Sequence, residues 1–498
     1  MQNREMQTMK VLASVESQTR RDFFTSTASG LGGLALSQLL ADEEAVGADS
    51  PEVALRAASH FAPTAKRCIF IFLAGAPSHV DLYDPKPILV EKDGDRLPKE
   101  LTDKVRFAFI KKESAILMGS KRKFHRYGEC EMELCDLLPH IGSCADDIAL
   151  VRSMHTDAFN HHPAQLMMTT GVPRFGRPSL GSWLTYGLGS ETNELPSYVV
   201  LSAGRGSSGG VSNWTSGFLP STYEGVVFRG EGEPVLNLNN PRGYDLRMQK
   251  DSLDLINQLN RERLEKQNDT EIASRINAYE LAFRMQQAAP ELTDLSSETS
   301  STLDLYGVTR PEPQKNSFRG GGTNVYQQFS KNCLLARRLI ERGVRCVTLM
   351  HASWDHHSNL DEEISYNATM LDQPAAALVK DLKQRGLLDE TLVICAGEFG
   401  RTPLGENRGG NKQNTGRDHH PYGYSLWMAG GGIRGGQVVG KTDDLGWAPI
   451  EDAVHINDFH ATILHLFGFD HHRLVHPFKG LEVRLTDQGG KVVEKLIG

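Results

Sequence analysis

Short apolar runs that end at glycine alternate with longer amphipathic stretches along most of the chain. The run Arg67-Cys68-Ile69-Phe70-Ile71-Phe72-Leu73-Ala74-Gly75 opens the pattern. A basic residue followed by an unbroken apolar run fits a parallel strand buried on both faces. The same pattern predicts strands at 148–152, 197–201, 344–349, 391–397 and 424–429. Helical spacing predicts helices at 162–170, with Pro163 near the first turn, and at 332–342, 364–384 and 458–466. Gly343 and Gly386 supply stops after the second and third of these. Apolar residues at 253, 255, 256 and 259, then at 272, 276 and 281, predict one or two polar amphipathic helices over 251–287. Segments 85–125, 203–242 and 290–322 read as irregular or loop-like. Strand and helix alternate, which implies a largely parallel sheet with helices on both faces. Ligands of such sheets bind at the C-terminal ends of the strands.

The N-terminus reads as an address. Thr19-Arg20-Arg21-Asp22-Phe23-Phe24 precedes a weakly apolar stretch, and Ala45-Val46-Gly47-Ala48 offers small residues for cleavage. This is the twin-arginine export pattern. Residues 1–48 are therefore expected to be a leader handled by the twin-arginine translocase, and the mature protein periplasmic or secreted. Its apolar stretch, about 16 residues rich in Gly, Ser and Ala, is too short and polar for a stable span, and no later segment reaches a membrane-spanning length. Cargo of this route crosses the membrane folded, which favours a metal acquired beforehand.

Charge and cysteine narrow the choices. The net charge of −8 argues against nucleic acid recognised by bulk charge. The seven cysteines form no CxxC pair, so neither a zinc ribbon nor a disulfide framework is indicated. Histidine stands out: 18 are present, and eight form the pairs His161-His162, His356-His357, His419-His420 and His471-His472. Neighbouring side chains point different ways on any backbone, so one member of each pair is expected to be structural.

Chemistry-bearing residues gather around the expected strand ends. Ser78, His79 and Asp81 follow the first strand, Asp355 and His357 the 344–349 strand, and Glu398 the 391–397 strand. His419 precedes the 424–429 strand, in a loop able to fold back to the same edge. Carboxylate with imidazole suits a divalent transition metal. Such a metal activates water or polarises a phosphoryl or sulfuryl oxygen. Gly430-Gly431-Gly432-Ile433-Arg434-Gly435 matches GxGxxG, but no helix pattern follows and no ribose-binding acid is in place, which excludes a dinucleotide site.

Several stretches resemble the bacterial family called domain of unknown function 1501, abundant in planctomycetes. They are Phe72 to Pro87, Leu335 to Arg345, Trp354-Asp355-His356-His357, Gly397-Glu398-Phe399-Gly400-Arg401-Thr402-Pro403, Gly416-Arg417-Asp418-His419-His420 and Asp458 to Leu464. The resemblance covers about 66–486, read as a single domain with an excursion and polar helical insertion at about 203–322. It places the chain with the alkaline phosphatase and sulfatase superfamily, and so implies a three-layer α/β/α sandwich with a mostly parallel central sheet and a metal site. A divalent Zn, Mn, Fe or Ca ion is then the expected cofactor.

In register with the sulfatase nucleophile motif, this chain carries His161-His162-Pro163-Ala164-Gln165 followed by Met168-Thr169-Thr170-Gly171. His161 thus stands at the nucleophile position and Gln165 at the arginine position. Gly75 stands near the place of a first-strand metal-binding Asp, so Asp81 or His79 would have to substitute. Glu398-Phe399 replaces the usual Asp-His. The implied ligands are Asp81, His79, Asp355, His357, Glu398 and His419. His161 is a ligand or a nucleophile, with Ser78 and Thr156 as neighbouring hydroxyls, and Arg401 or Arg417 holds the anion. Two functions follow: an exported metal-dependent hydrolase of sulfate or phosphate esters, glycan esters included, or a non-catalytic envelope protein that keeps the fold and binds metal or glycan.

Overall fold

In strand β1, Arg67–Leu73, alternate side chains point to opposite faces, and both faces are covered. Ile69, Ile71 and Leu73 enter one core, while Cys68, Phe70 and Phe72 enter another. This double burial explains the unbroken apolar run. The structure, a computed structural model, describes residues 59–97, 108–110, 115–204, 206–229, 235, 240–313, 324–406 and 415–498. The predicted leader lies outside the described residues.

The other strands of the main sheet are β2 (Ile148–His155), β3 (Tyr198–Ala203), β4 (Val226–Phe228), β5 (Cys346–His351), β6 (Thr391–Ala396), β7 (Tyr424–Ala429), β8 (Gln437–Val439) and β9 (Val454–His455). Their order is β8-β2-β7-β6-β1-β5-β3-β4, with β9 also paired to β2. Pairing is parallel except at β7, which runs antiparallel to both β2 and β6.

Helices cover both faces. One core holds residues of α5 (Val325–Glu341) and α6 (Leu360–Gln384). The other holds residues of α1 (His161–Thr170), α2 (Leu180–Leu188) and α7 (Ile456–Leu466). The architecture is thus the expected α/β/α sandwich. The predicted polar helices are α3 (Leu246–Gln267) and α4 (Thr270–Thr293).

Three local expectations need correction. The 290–322 segment is not loop throughout: α4 continues through Pro290, beside the fully buried Ala289 and Leu292, whose packing outweighs the missing N–H. A further helix, Ser300–Tyr306, starts at Thr299, whose hydroxyl accepts the Thr302 amide at 3.1 Å. Within 203–242, β4 forms a parallel sheet edge on β3. Within 85–125, Pro87–Glu91 is helical.

Candidate metal centre

The reversed direction of β7 creates the site. Because β7 is antiparallel to its neighbours, its first residue lies at the edge where β2, β6, β1 and β5 end. His419 and His420 form a short strand just ahead of it, antiparallel to Gly400–Arg401, with His419 opposite Arg401. His161 arrives after β2, Glu398 after β6, Gly75 after β1, and Asp355 and His357 after β5.

Four of these side chains meet. His161, Asp355, His357 and His419 each offer a ligand atom, all within 4.8 Å of one another. Asp355 Oδ1 lies 3.0 Å from His161 Nε2, 2.7 Å from His357 Nε2 and 3.5 Å from His419 Nε2. His357 Nε2 and His419 Nε2 are 3.0 Å apart.

The far side of each ring is already engaged. His161 Nδ1 meets Glu398 Oε1 at 2.7 Å, His357 Nδ1 meets Glu406 Oε2, and His419 Nδ1 meets the Phe159 carbonyl at 2.9 Å. A carbonyl only accepts, so His419 Nδ1 carries hydrogen. In a neutral ring its Nε2 lone pair then faces His357 and Asp355. His161 and His357 each sit between two carboxylates. In each ring one nitrogen is held by a glutamate and the other turns toward Asp355. Among the described residues, the nearest acceptor to buried His161 Nε2 is Asp355 Oδ1 at 3.0 Å, in a poorly aligned contact. Three imidazole nitrogens with fixed Nδ1 partners and one carboxylate oxygen therefore fit a divalent metal in an N3O set.

The electrostatics agree with the geometry. Burial alone would raise the Asp355 carboxyl, but Arg401 and the three imidazoles outweigh it and hold it far below the usual carboxylate range. Burial likewise opposes charge on His161, yet Asp355 and Glu398 raise it above an ordinary histidine. His419 is pushed down to about 4, chiefly by burial. Burial would raise Glu398, and His161 with Gln165 holds it low.

Glu398 is fully buried and acts as an acceptor hub. It takes the Gly75 amide at 3.0 Å, the Gln165 amide nitrogen at 3.0 Å and His161 Nδ1. Gln165 Oε1 in turn accepts the Ser208 hydroxyl and the Gly209 amide, both at 2.9 Å. Gly75 has φ +114°, and a Cβ there would lie 2.5 Å from the Asp355 amide, so only glycine permits this approach. A cavity of about 340 Å³, lined by Gly75, His161, Gln165, Ser207, Ser353 and Asp355 among others, opens beside the cluster.

The remaining candidates are not among the four converging ligands. Asp81 is paired with Arg417 at 2.7 and 3.2 Å and accepts the Ser78 hydroxyl at 2.5 Å. His79 Nε2 is bonded to the Gly446 carbonyl at 2.9 Å. Neither belongs to the four-residue group, and Glu398 stands behind His161. The Arg401 guanidinium is buried, bonded to the carbonyls of Gly75, Ala76 and Arg417 and to Asp355 at 2.7 Å. Arg417, also buried, gives its donors to Asp81, Met118 and Thr402. Thr156 has a buried hydroxyl without a hydrogen-bond partner among the described residues.

Three histidine pairs divide as expected. His162 packs on Phe175, His356 meets Asn367 and His420 meets the Trp447 carbonyl, leaving His161, His357 and His419 to the cluster. Glu406 and the Phe159 carbonyl have no signal in the sequence, because nothing local marks a residue as the outer partner of a distant imidazole.

Among solved structures, the chain is similar to a sulfatase from Pseudoalteromonas sp. (12% identity, 86% of this chain and 71% of that one, TM-score 0.33). It is also similar to a protein in the alkaline phosphatase superfamily from Vibrio parahaemolyticus (10%, 89% and 72%, 0.35) and a phosphonate monoester hydrolase from Silicibacter pomeroyi (13%, 72% and 71%, 0.30). No curated protein matches it. The sequence pattern of the family described as "Protein of unknown function (DUF1501)" matches residues 65–497, and the chain belongs to that family.

Proposed function

We propose that the protein is a metal-dependent hydrolase of phosphate or sulfate esters. The observation that carries this reading is the convergence of three imidazole Nε2 atoms on one Asp355 oxygen, at the mouth of a cavity. His161, Asp355, His357 and His419 would hold the ion. When bound, a divalent ion polarises an ester oxygen and supplies a nucleophilic water near neutral pH. Glu398, Glu406 and the Phe159 carbonyl keep the rings turned toward it. Arg401 keeps Asp355 ionised and in place. His161 is a ligand in this reading, since its second nitrogen is committed to Glu398. An exported location and an anionic, sugar-bearing substrate belong to the same proposal.

One observation favours the alternative, a non-catalytic metal- or glycan-binding protein. The guanidiniums of Arg401 and Arg417 are spent on internal acceptors, so neither is presented to an anion. The test is elemental analysis of the purified protein, followed by a phosphatase and sulfatase screen of the loaded form. Bound divalent ion with turnover, both lost in His357→Ala, supports the hydrolase. Bound ion without turnover on any ester supports the alternative. A folded protein that takes up no ion on reconstitution sinks both metal readings.

A further inference from the structure

The cluster has two unlike sides. His161 and Asp355 face the cavity, with side chains 20% and 38% exposed. His357 and His419 are 3% exposed, and Phe109 lies against them. Its ring stands edge-on to both imidazoles, with centroids at 5.2 Å from His357 and 5.6 Å from His419. The Phe109 side chain nevertheless keeps much of its surface in solvent, at 55% exposure for the residue. An apolar ring left that exposed is not held there by burial alone.

Asp418 explains the position. Its carboxylate is fully buried and takes three backbone amides: Phe109 at 2.7 Å and Ile110 at 3.1 Å through Oδ2, and His419 at 2.8 Å through Oδ1. Ile110 adds an apolar anchor against the cluster that contains Leu117, Leu404 and Trp447. One side chain thus ties the backbone of a cluster histidine to the segment whose ring covers two of them.

We infer that Asp418 and Phe109 form a clip that positions His357 and His419 and governs how fast the bound metal leaves. The clip lies against the two cluster histidines that do not line the cavity. Ring contact from Phe109 limits rotation of the imidazoles, and Asp418 holds both partners in register. Phe109 offers no ligand atom, and the Asp418 carboxylate, which lies near His357 and Glu406 but outside the four converging ligands, is taken by three backbone amides, so both act as positioning residues. This inference rests on the metal-site part of the reading above and not on turnover.

The test uses full-length protein loaded with zinc and mixed with an excess of a chromogenic chelator. The expected result is that Phe109→Ala and Asp418→Asn release zinc about tenfold faster than wild type, a typical effect of losing an outer partner of a metal ligand. Starting stoichiometry is expected to be unchanged, and Phe109→Leu is expected to restore slow release. Cobalt-substituted Phe109→Ala is expected to show shifted visible bands, which a remote packing defect would not produce. If Asp418→Asn fails to fold, the Phe109 pair carries the test alone. Wild-type release from Phe109→Ala overturns the clip while leaving the metal centre intact. Graded release rates without ester turnover overturn the hydrolase and leave the clip. A wild type that binds no zinc overturns both.

Discussion

Two aspartates stand at the same sheet edge, each against a buried arginine, and they behave oppositely. Asp81 is 3% exposed and meets Arg417 through two nitrogens, with Ser78 filling a further position. Its burial would raise its pKa, but Arg417 and the surrounding donors hold it below the usual range. Every strong partner is internal, and the carboxylate is paired although Asp81 borders a cavity of about 630 Å³. Asp355 receives one nitrogen of Arg401, and three imidazoles crowd the same oxygen. Its side chain is 38% exposed toward a cavity. A closed pair stabilises the fold by satisfying itself. The candidate ligand centre instead gathers several donor atoms around one oxygen that faces a cavity.

The largest expected effect tests the closed pair. Arg417→Ala leaves the Asp81 carboxylate buried and unpaired, which is expected to cost about 3–5 kcal/mol. Urea denaturation checks this, and an unchanged midpoint would show that the pair is not closed in solution. At the other aspartate the effect falls on metal instead. Asp355→Ala is expected to lose the bound ion in elemental analysis, with a smaller shift of the metal-free urea midpoint than Arg417→Ala produces. Equal destabilisation by both variants would erase the distinction.

Glu398→Gln sharpens the contrast from behind the ligands. The buried hub keeps its shape but loses its charge toward His161. Zinc affinity, read by competition with a chelator, is expected to fall about 10–100-fold. No fall would mean that Glu398 only packs.

A pH profile separates the cluster from the structural histidines. Burial pushes His351 and His420 down to about 3 and His460 down to about 4. Folded pKa values below the unfolded value of about 6.5 mean that the unfolded chain binds more protons between them. Their stabilising contribution is therefore complete above about pH 6.5 and is lost as pH falls through about 4 for His460 and about 3 for His351 and His420. His460 Nε2 meets the Met168 carbonyl at 2.8 Å. His460→Gln should flatten the acid side of the stability curve slightly, the smallest effect of the set, measured as urea midpoints between about pH 7 and 4. An unchanged slope would assign the acid sensitivity to other groups.

Local patterning made much of the fold legible. A fully buried strand needs a continuous apolar run, and an amphipathic helix needs spaced apolar residues, so β1, β6 and β7 were readable with near-correct bounds. Helix α5 starts well before residue 332 because Val325, Tyr326 and Phe329 extend its buried face. The candidate site was legible in part. His161 was identifiable only by its register with the sulfatase nucleophile motif, and Asp355, His357 and His419 by residue type and by their place beside strand ends. Asp81 and His79 carried the same signal, and their partners Arg417 and Gly446 lie 336 and 367 residues away, beyond any local pattern.

The sequence by itself determined the alternation of strand and helix, the double burial of the sheet and the gathering of histidines and carboxylates near strand ends. These follow from burial along the chain, which neighbouring residues report. Only the tertiary structure decided that β7 runs backward, which member of each histidine pair turns inward, and which aspartate is closed by an arginine. Those outcomes depend on strand pairing and on donors that meet across the fold. The bond between His161 and Glu398 spans 237 residues. No periodicity reaches that far, because the free energy that sets such a contact is shared among every element packed around it.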